Sequence, residues 1–434
     1  MILKSTVFAT LLLMTAVCAT WAGELNEHWT VTFGERMRLE TWDNTISLDD
    51  STEDARSQMR FRTQLGAAWS PSSNTVFGLR LANEFRYYVA PGNRDFHLDE
   101  VFVDQLYVKA ALPWYQPLTF TVGRQDIMLG EGFIVMDGGP LDGSRSAYFN
   151  AVRLDWTIRP GQALTAFVCH QEETDHWLPI IHEQDQPMVE QAETGIGLYY
   201  NGKWTDHDIE GYFVYKRSDD NAAVPFSSTA NTIGGRIKQP VLRDIDLTAV
   251  AEAAYQFGER GDADRRAFGG HGYLHYRPGW DTPHPYLPSL LGAGVIYLSG
   301  DDPDTEKWEG WDPVFARWPK WNESYIYTLS GENGVAWWTN LVSVNAEVRF
   351  LPTTNAELRL AFHHFTAPEK AGASSDFPGG TGTTRGNFYI GKLAYKFDQR
   401  WTGHLIWESL APGDFYFGGA DSYAWIRAEL MYQY

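Results

Sequence analysis

The chain has 434 residues, a formal net charge of -20 at pH 7 and an aromatic content of 15%. This charge argues against a nucleic-acid partner, because phosphate binding requires a basic stripe on the protein. The length allows either several soluble domains or one large barrel. Many aromatic residues in a chain with a mean hydropathy of only -0.35 favour a barrel, where apolar side chains occupy every second position and aromatic ones form belts.

The N-terminus has the pattern of a secretory signal peptide. A basic residue precedes an apolar run, which ends in small residues at Ala19 and Ala22. The run is too short to span a membrane, so residues 1–22 are predicted to be a signal peptide and residues 23–434 a single outer-membrane domain. After cleavage Cys169 has no partner for an internal disulfide.

The segments that follow alternate apolar and polar residues with a period of two. From Trp29 to Trp42, for example, Met37 and Leu39 alternate with Arg36 and Arg38, which predicts a strand with one apolar and one charged face. The same pattern predicts strands over Arg56 to Trp69 and Val76 to Tyr87. A fourth strand is predicted over Val101 to Leu112, but its apolar residues occupy both faces and leave its phase undetermined.

Between Phe120 and Trp156 lie a strand, a glycine-rich segment and a second strand. The segment from Gly130 to Gly143 lacks the residue spacing of a phosphate-binding loop. It either folds into the barrel to narrow it or is an ordinary surface loop. Arg124 shares the outward phase of Val122, so it faces the lumen only if a bulge occurs near Gly123.

Connections between the predicted strands alternate between short and long, which is typical of outer-membrane barrels. The fold class is therefore all-β, a transmembrane antiparallel β-barrel of about 18 strands, the even number that single-chain bacterial barrels require. Long external loops are predicted at Ile127 to Ser144, Gln171 to Glu193, Phe257 to Arg265, Ser299 to Ala336 and Leu410 to Ser422, and a short turn at Leu351 to Asn355. The alternation continues to the end of the chain, where Ile426 to Tyr434 predicts the closing strand.

Several short segments occur in a fixed order along the chain: VGRQ at 122–125, LGEG at 129–132, FNAVRL at 149–154, EAAYQFG at 252–258, YLSGDD at 297–302 and APGDF at 411–415. This series resembles the alginate export family of bacterial outer-membrane porins. The resemblance implies an outer-membrane channel for an anionic polysaccharide such as alginate, or for a small anionic solute. Its implied partners are outer-membrane lipids, a barrel assembly machinery that recognises the terminal Tyr434, and a periplasmic synthesis complex. No cofactor is implied, since passage through a pore needs none.

The strand arginines are the candidate substrate path. Placing an arginine in hydrocarbon at mid-membrane costs about 2–4 kcal/mol, so these side chains should face the lumen. There they either form a positive path for anions or simply pair with strand acids. The candidates are Arg36, Arg38, Arg60, Arg62, Arg80, Arg86, Arg124, Arg145 and Arg153.

Other chemistries have weaker support in the sequence. An outer-membrane enzyme is the rival class, but the chain has no GxSxG element and no HExxH spacing. The histidines at 170, 176 and 182 and the acids at 301–306 have the composition of metal sites without the spacing of one. An anion-selective or general porin for small solutes remains the alternative to polysaccharide export.

Overall fold

The computed structural model is a closed antiparallel β-barrel of 18 long strands. The structure describes residues 23–92, 94, 97–112, 114–137, 148–242, 244–279, 283–316, 321–334, 337–370 and 377–434. The predicted signal peptide and Arg145 lie outside these residues. Within the described ranges, no helix has the length and apolar character needed to cross a membrane.

The barrel strands follow one another around the wall in chain order. They are β2 (Trp29–Asp43), β3 (Arg56–Ser72), β4 (Thr75–Ala90), β5 (Val101–Leu112), β6 (Tyr115–Gln125), β9 (Phe149–Arg159), β10 (Gln162–Gln171), β12 (Glu193–Lys203), β13 (Asp208–Ser218), β14 (Ser228–Leu242), β15 (Asp246–Arg260), β16 (Ala263–Arg277), β17 (Pro288–Leu298), β18 (Leu341–Thr353), β19 (Ala356–Thr366), β20 (Thr384–Lys396), β21 (Trp401–Pro412) and β22 (Tyr423–Gln433). Four short strands, β1 (Gly23–Asn26), β7 (Ile127–Met128), β8 (Met136–Asp137) and β11 (Ile180–Ile181), are additions to this wall.

The barrel closes between its first and last long strands. β22 pairs antiparallel with β2 from Gly34 opposite Gln433 to Asp43 opposite Ala424. Closure leaves no open sheet edge, which a wall in lipid requires. The predicted strand number and the closing role of the C-terminal strand are confirmed.

Apolar side chains cover the outside of the wall, as the alternation predicts. Leu65, Val122 and Val152 are 46–49% exposed. The charged residues that alternate with such apolar residues along the strands point inward and are mostly buried. An outward apolar band with a polar interior is the arrangement that lipid outside and water inside would select.

A bulge explains why the phase of β5 could not be read from the sequence. Arg80 pairs with Gln105 and the next residue, Leu81, pairs with Val103, so Asp104 is an extra residue in the strand. A single extra residue turns every later side chain to the opposite face. Asp104 is fully buried, and Leu106 beyond it is outward and 44% exposed.

Long connections lie at one end of the barrel and short turns at the other, with two departures from the prediction. The segment Phe257 to Arg265 is not a loop: β15 and β16 continue to Arg260 and Ala263 and are joined by a two-residue turn. The segment Ser299 to Ala336 is long, but residues 310–316 and most of 321–329 are buried inside the barrel, while residues 303–307 are exposed.

Two connections pack inside the lumen. The described residues contain one α-helix, Tyr325–Asn333, in the connection between β17 and β18. Apolar residues of this connection and of the β6–β9 connection form one buried cluster with inward side chains of the wall. Phe133, for example, stacks on Trp311 with ring centroids 5.4 Å apart. Of the two alternatives for the glycine-rich segment, the lumenal one holds for its described residues, 130–137.

Candidate ion path through the lumen

Five inward arginines of adjacent strands lie beside one another in two rows. Strand register places Arg38 opposite Arg60, and Arg60 opposite Arg86. The second row places Arg36 opposite Arg62. Facing residues of antiparallel strands have Cβ atoms about 4.5–5.5 Å apart, where like charges repel. We call Arg36, Arg38, Arg60, Arg62 and Arg86 the arginine rows.

Glutamates at the ends of the rows balance only part of this charge. Glu429 extends the first row beside Arg38, to which it is ion-paired. Glu84 ends the second row, and its Oε1 accepts a hydrogen bond from Arg62 Nε at 2.6 Å. Glu40, one row further along β2, lies 3.1 Å from Arg60 Nη1. Three glutamates thus accompany the five arginines of the two rows, and this part of the wall carries a positive excess.

Two other predicted arginines face the lumen but are paired locally. Arg80 Nε is 2.9 Å from Asp104 Oδ1, and its Nη2 is 3.2 Å from Asp126 Oδ2. Burial and the neighbouring Asp104 raise the pKa of Asp126 to about 6, against the opposing effect of Arg80. Arg153 donates to Asp155 at 2.8 Å. Because Arg80 and Arg153 are each paired with nearby acids, they add little net charge to the path.

Arg124 does not lie on the lumenal face. No register shift occurs at Gly123, where Tyr107 and Ala151 are its partners, and Arg124 stays opposite the outward Leu106. Its guanidinium is covered from outside by the β10–β12 connection, where both carboxylate oxygens of Asp175 accept hydrogen bonds at 2.7 and 2.8 Å. The predicted bulge is absent, and Arg124 holds a loop against the outer wall instead.

Buried charges anchor the β17–β18 connection inside the barrel. Lys216 Nζ on β13 is 3.0 Å from Glu193 and 3.3 Å from Asp312, and Arg265 on β16 is 3.5 Å from the same Asp312. Burial opposes ionisation of Asp312, but the two cations outweigh it and lower its pKa below the ordinary value. We call Lys216, Arg265, Glu193 and Asp312 the first loop anchor.

A second loop anchor holds the helix. Arg385 on β20 is fully buried, and its guanidinium donates to both carboxylate oxygens of Glu332 at 2.6 and 2.7 Å. The same Arg385 lies 3.2 Å from the hydroxyl of Tyr325, which is 2.7 Å from that of Tyr416. A loop that the sequence places outside is thus fixed inside by matched charges. Its many tryptophans were the available signal, because an external loop would leave them in water.

A third row of cations was missed by the sequence reasoning. Arg349 faces Arg359, and Arg359 faces Lys392, across β18, β19 and β20. Glu347 accepts hydrogen bonds from Arg349 at 2.9 Å and from Arg359 at 2.7 Å. The same two-residue alternation that identified the arginine rows would have found these residues.

The predicted alternatives based on metal ions are not assembled. His170 contacts Glu172, whereas His182 contacts Asp99. Across the described residues there is no group of three or more His, Cys, Asp or Glu side chains arranged to hold a metal ion.

Comparisons with known proteins agree with this architecture. The family model described as Alginate export matches residues 36–425. A comparison with curated proteins found no match. Among solved structures, Pseudomonas aeruginosa OccK3 (OpdO) is similar, with 11% identity, a TM-score of 0.59, and coverage of 95% of this chain and 97% of that chain.

Two further similar structures were solved with ligands. Pseudomonas aeruginosa OccK2 (OpdF) in complex with glucuronate has 14% identity, a TM-score of 0.57, and coverage of 93% of this chain and 97% of that chain. Pseudomonas aeruginosa OpdK with vanillate has 13% identity, a TM-score of 0.55, and coverage of 93% and 98%. At these identities the likeness establishes a shared barrel fold.

Proposed function

The chain belongs to the alginate export family, and from this membership we propose that it conducts an anionic polysaccharide such as alginate along the arginine rows. It is a channel protein of the bacterial outer membrane. The observation that carries the proposal is the register of β2, β3 and β4, which sets five lumenal arginines beside three glutamates.

Arginines that outnumber the acids beside them in a narrow lumen attract carboxylates. Walls of low dielectric focus the field of these charges into the water between them. A chain of uronate units can exchange carboxylate contacts from one guanidinium to the next, provided that each contact is weak enough to break. Continuous rows suit this exchange better than a single charged ring, because the next contact is already within reach.

The second candidate is a channel for smaller anionic solutes. The lumenal packing of the β6–β9 and β17–β18 connections favours it, because their buried cluster occupies space that a polymer would need. Two proteins of similar fold were solved with glucuronate and with vanillate, which are small carboxylates. Both candidates use the same arginine rows.

The proposed partners differ between the candidates. Export of a polymer would require a periplasmic synthesis complex that feeds the channel, whereas uptake of small solutes would not. In both cases the barrel contacts outer-membrane lipids, and the closing strand β22, which leads to Tyr434, is proposed to be recognised by the barrel assembly machinery.

Solute entry into proteoliposomes tests the proposal. The solutes are a hexuronate, an oligouronate and an uncharged oligosaccharide with the same number of rings. We expect both acids to enter faster than uncharged sugars of the same size, and salt to reduce the difference because it screens the rows. Entry of the hexuronate but not of the oligouronate would contradict polysaccharide conduction and support the small-solute candidate. Equal rates for acidic and uncharged sugars would contradict both.

A further inference from the structure

A row of aromatic rings lies on the wall opposite the arginine rows. His271, Tyr273 and His275 are alternate residues of β16, so their side chains lie on the same, inward face of the strand. The rings of Tyr273 and His275 are 5.7 Å apart with an interplanar angle of 10°. His271 and Tyr273 are 4.9 Å apart. From the loop side, Trp321 Nε1 donates a hydrogen bond to the Tyr273 hydroxyl at 2.7 Å. We call His271, Tyr273 and His275 the aromatic row.

Glycines of β17 allow these rings to lie against the wall. Gly294 pairs with Tyr273 and Gly292 with His275. A Cβ atom at Gly294 would lie 2.5 Å from Tyr273 Cδ1, and one at Gly292 would lie 2.8 Å from Glu347 Cγ. Any larger residue at either position would displace these side chains. The rings of Tyr273 and His275 therefore lie across the backbone of β17.

Cations and hydrogen-bonding groups surround the aromatic row. A cavity of about 220 Å³ is lined by Tyr273, His275, Trp321, Asn345, Arg349 and Arg359, among other residues. Arg349 and Arg359 share Glu347, and Arg349 also lies 3.7 Å from Glu357. The carboxylates that line the cavity are Glu131 and Glu347, and Lys392, the third cation of the row, lies beside Arg359.

A buried histidine adds an available hydrogen-bonding atom. His363, which also lines the cavity, is 3% exposed, and its Nδ1 is 2.9 Å from Ser343 Oγ. Its Nε2 has no hydrogen-bond partner among the described residues. Buried polar atoms are normally paired, so a ligand group in the cavity would satisfy this one.

We propose that this cavity binds one cyclic sugar acid, a hexuronate, with its ring on Tyr273 and His275. The C–H face of a pyranose packs on an aromatic surface, while Arg349 and Arg359 bind the carboxylate through charge-assisted hydrogen bonds. Asn345 and His363 bind ring hydroxyls. The inference rests on the proposed function, since it names what the anion path recognises. It assigns that recognition to the β16–β19 wall and not to the arginine rows.

Three other kinds of solute would each use only part of the cavity. An inorganic ion has no face to stack, so the aromatic row would contribute nothing to its binding. An open-chain sugar acid has the same charge and also carries several hydroxyls, but it has no ring face. A neutral sugar has the ring but does not use the cations. The cavity is therefore expected to prefer a solute that combines ring and carboxylate.

Current block in planar bilayers tests the proposal with the full-length channel. The probes are glucuronate, its open-chain counterpart gluconate, and glucose. We expect glucuronate to reduce the current at a concentration about tenfold lower than gluconate does, and glucose to have little effect. Tyr273→Ala should raise the half-blocking concentration of glucuronate about three- to tenfold, the range expected for loss of an aromatic contact. Tyr273→Phe, which keeps the ring, should retain most of the block.

Tyr276→Ala is the matched control, because Tyr276 lies on the same strand and faces outward. Glucuronate should block this variant at the same concentration as the parent. Heat-modifiable migration on a gel verifies that each variant is folded. Equal block by glucuronate and gluconate in the parent would overturn the proposal, as would unchanged glucuronate block in folded Tyr273→Ala. Benzoate, an aromatic carboxylate without hydroxyls, serves as a further probe. Stronger block by benzoate than by glucuronate would also overturn the proposal. The reversal potential in a KCl gradient reports separately on anion preference, so failure of the proposed function is distinguishable.

Discussion

Two sets of buried cations in the same barrel differ in how many acids surround them. In the loop anchors, Lys216 has two carboxylates within 3.3 Å, and Arg385 is held by both oxygens of Glu332. In the arginine rows, Arg36 faces Arg62 and Arg38 faces Arg60. Burial is nearly the same in both sets. A buried cation matched by acids is a fixed structural link, whereas facing cations that outnumber their paired glutamates keep a field that an anion can use.

The difference also has an energetic reading. Facing like charges are unfavourable, and desolvation adds to that penalty. The matched anchors gain from their pairing, whereas the rows are only partly paired and their facing arginines are brought together by the strand register. Local choices that disfavour the fold are expected where function requires them.

The largest effect is expected at the first loop anchor. Asp312→Ala leaves Lys216 and Arg265 without their shared carboxylate, and breaking a buried ion pair costs about 3–5 kcal/mol. The β17–β18 connection should loosen, so single-channel conductance and proteolysis within 299–316 should both increase. Asp304→Ala, an exposed acid of the same connection, is the control. A parent-like conductance and protease resistance would show that the anchor does not hold the loop.

A smaller effect is expected at the second loop anchor. Arg385→Gln leaves Glu332 uncompensated, but the hydrogen bond between Tyr325 and Tyr416 remains. Backbone amide hydrogen exchange should accelerate over Tyr325–Asn333. The factor should be smaller than the acceleration that Asp312→Ala causes within residues 299–316. Arg266→Gln, at an exposed position of β16, should leave the helix unchanged. Equal exchange in Arg385→Gln and the parent would remove the role assigned to this anchor.

The sequence predicted the wall well because a two-residue period determines which face each side chain occupies. Strand number, closure by β22 and the lumenal position of the arginine rows all follow from that period. The bulge at Asp104 is a local departure that alternation cannot locate, because β5 has apolar residues on both faces. The loop positions depend on long-range pairs such as Lys216 with Asp312, which no local pattern encodes.

Arg124 shows the limit of the same reasoning. The cost of an arginine in lipid predicted that it must turn inward, yet the structure keeps the outward phase and brings a loop with Asp175 to cover it. A charge can thus avoid lipid by being covered as well as by changing face.

Arg124 and Arg62 form a matched pair for a smaller, selective effect. Arg124→Gln should loosen the β10–β12 connection and leave ion selectivity unchanged, because the side chain is outside the lumen. Arg62→Gln should shift the reversal potential toward less anion preference. Limited proteolysis of 172–192 and the reversal potential in a KCl gradient give the two readouts. A selectivity change in Arg124→Gln equal to that in Arg62→Gln would contradict the outward placement.

The central claim is that the arginine rows make the lumen attractive to anions, and the reversal potential of a variant with inverted rows tests it most directly. Arg36, Arg38, Arg60 and Arg62 are replaced together by Glu, which adds no charge to the lipid face, and heat-modifiable migration confirms a folded barrel. We predict that the parent prefers anions in a KCl gradient and that the variant prefers cations or has no preference. A parent without anion preference, together with an unchanged reversal potential in the folded variant, would contradict the account.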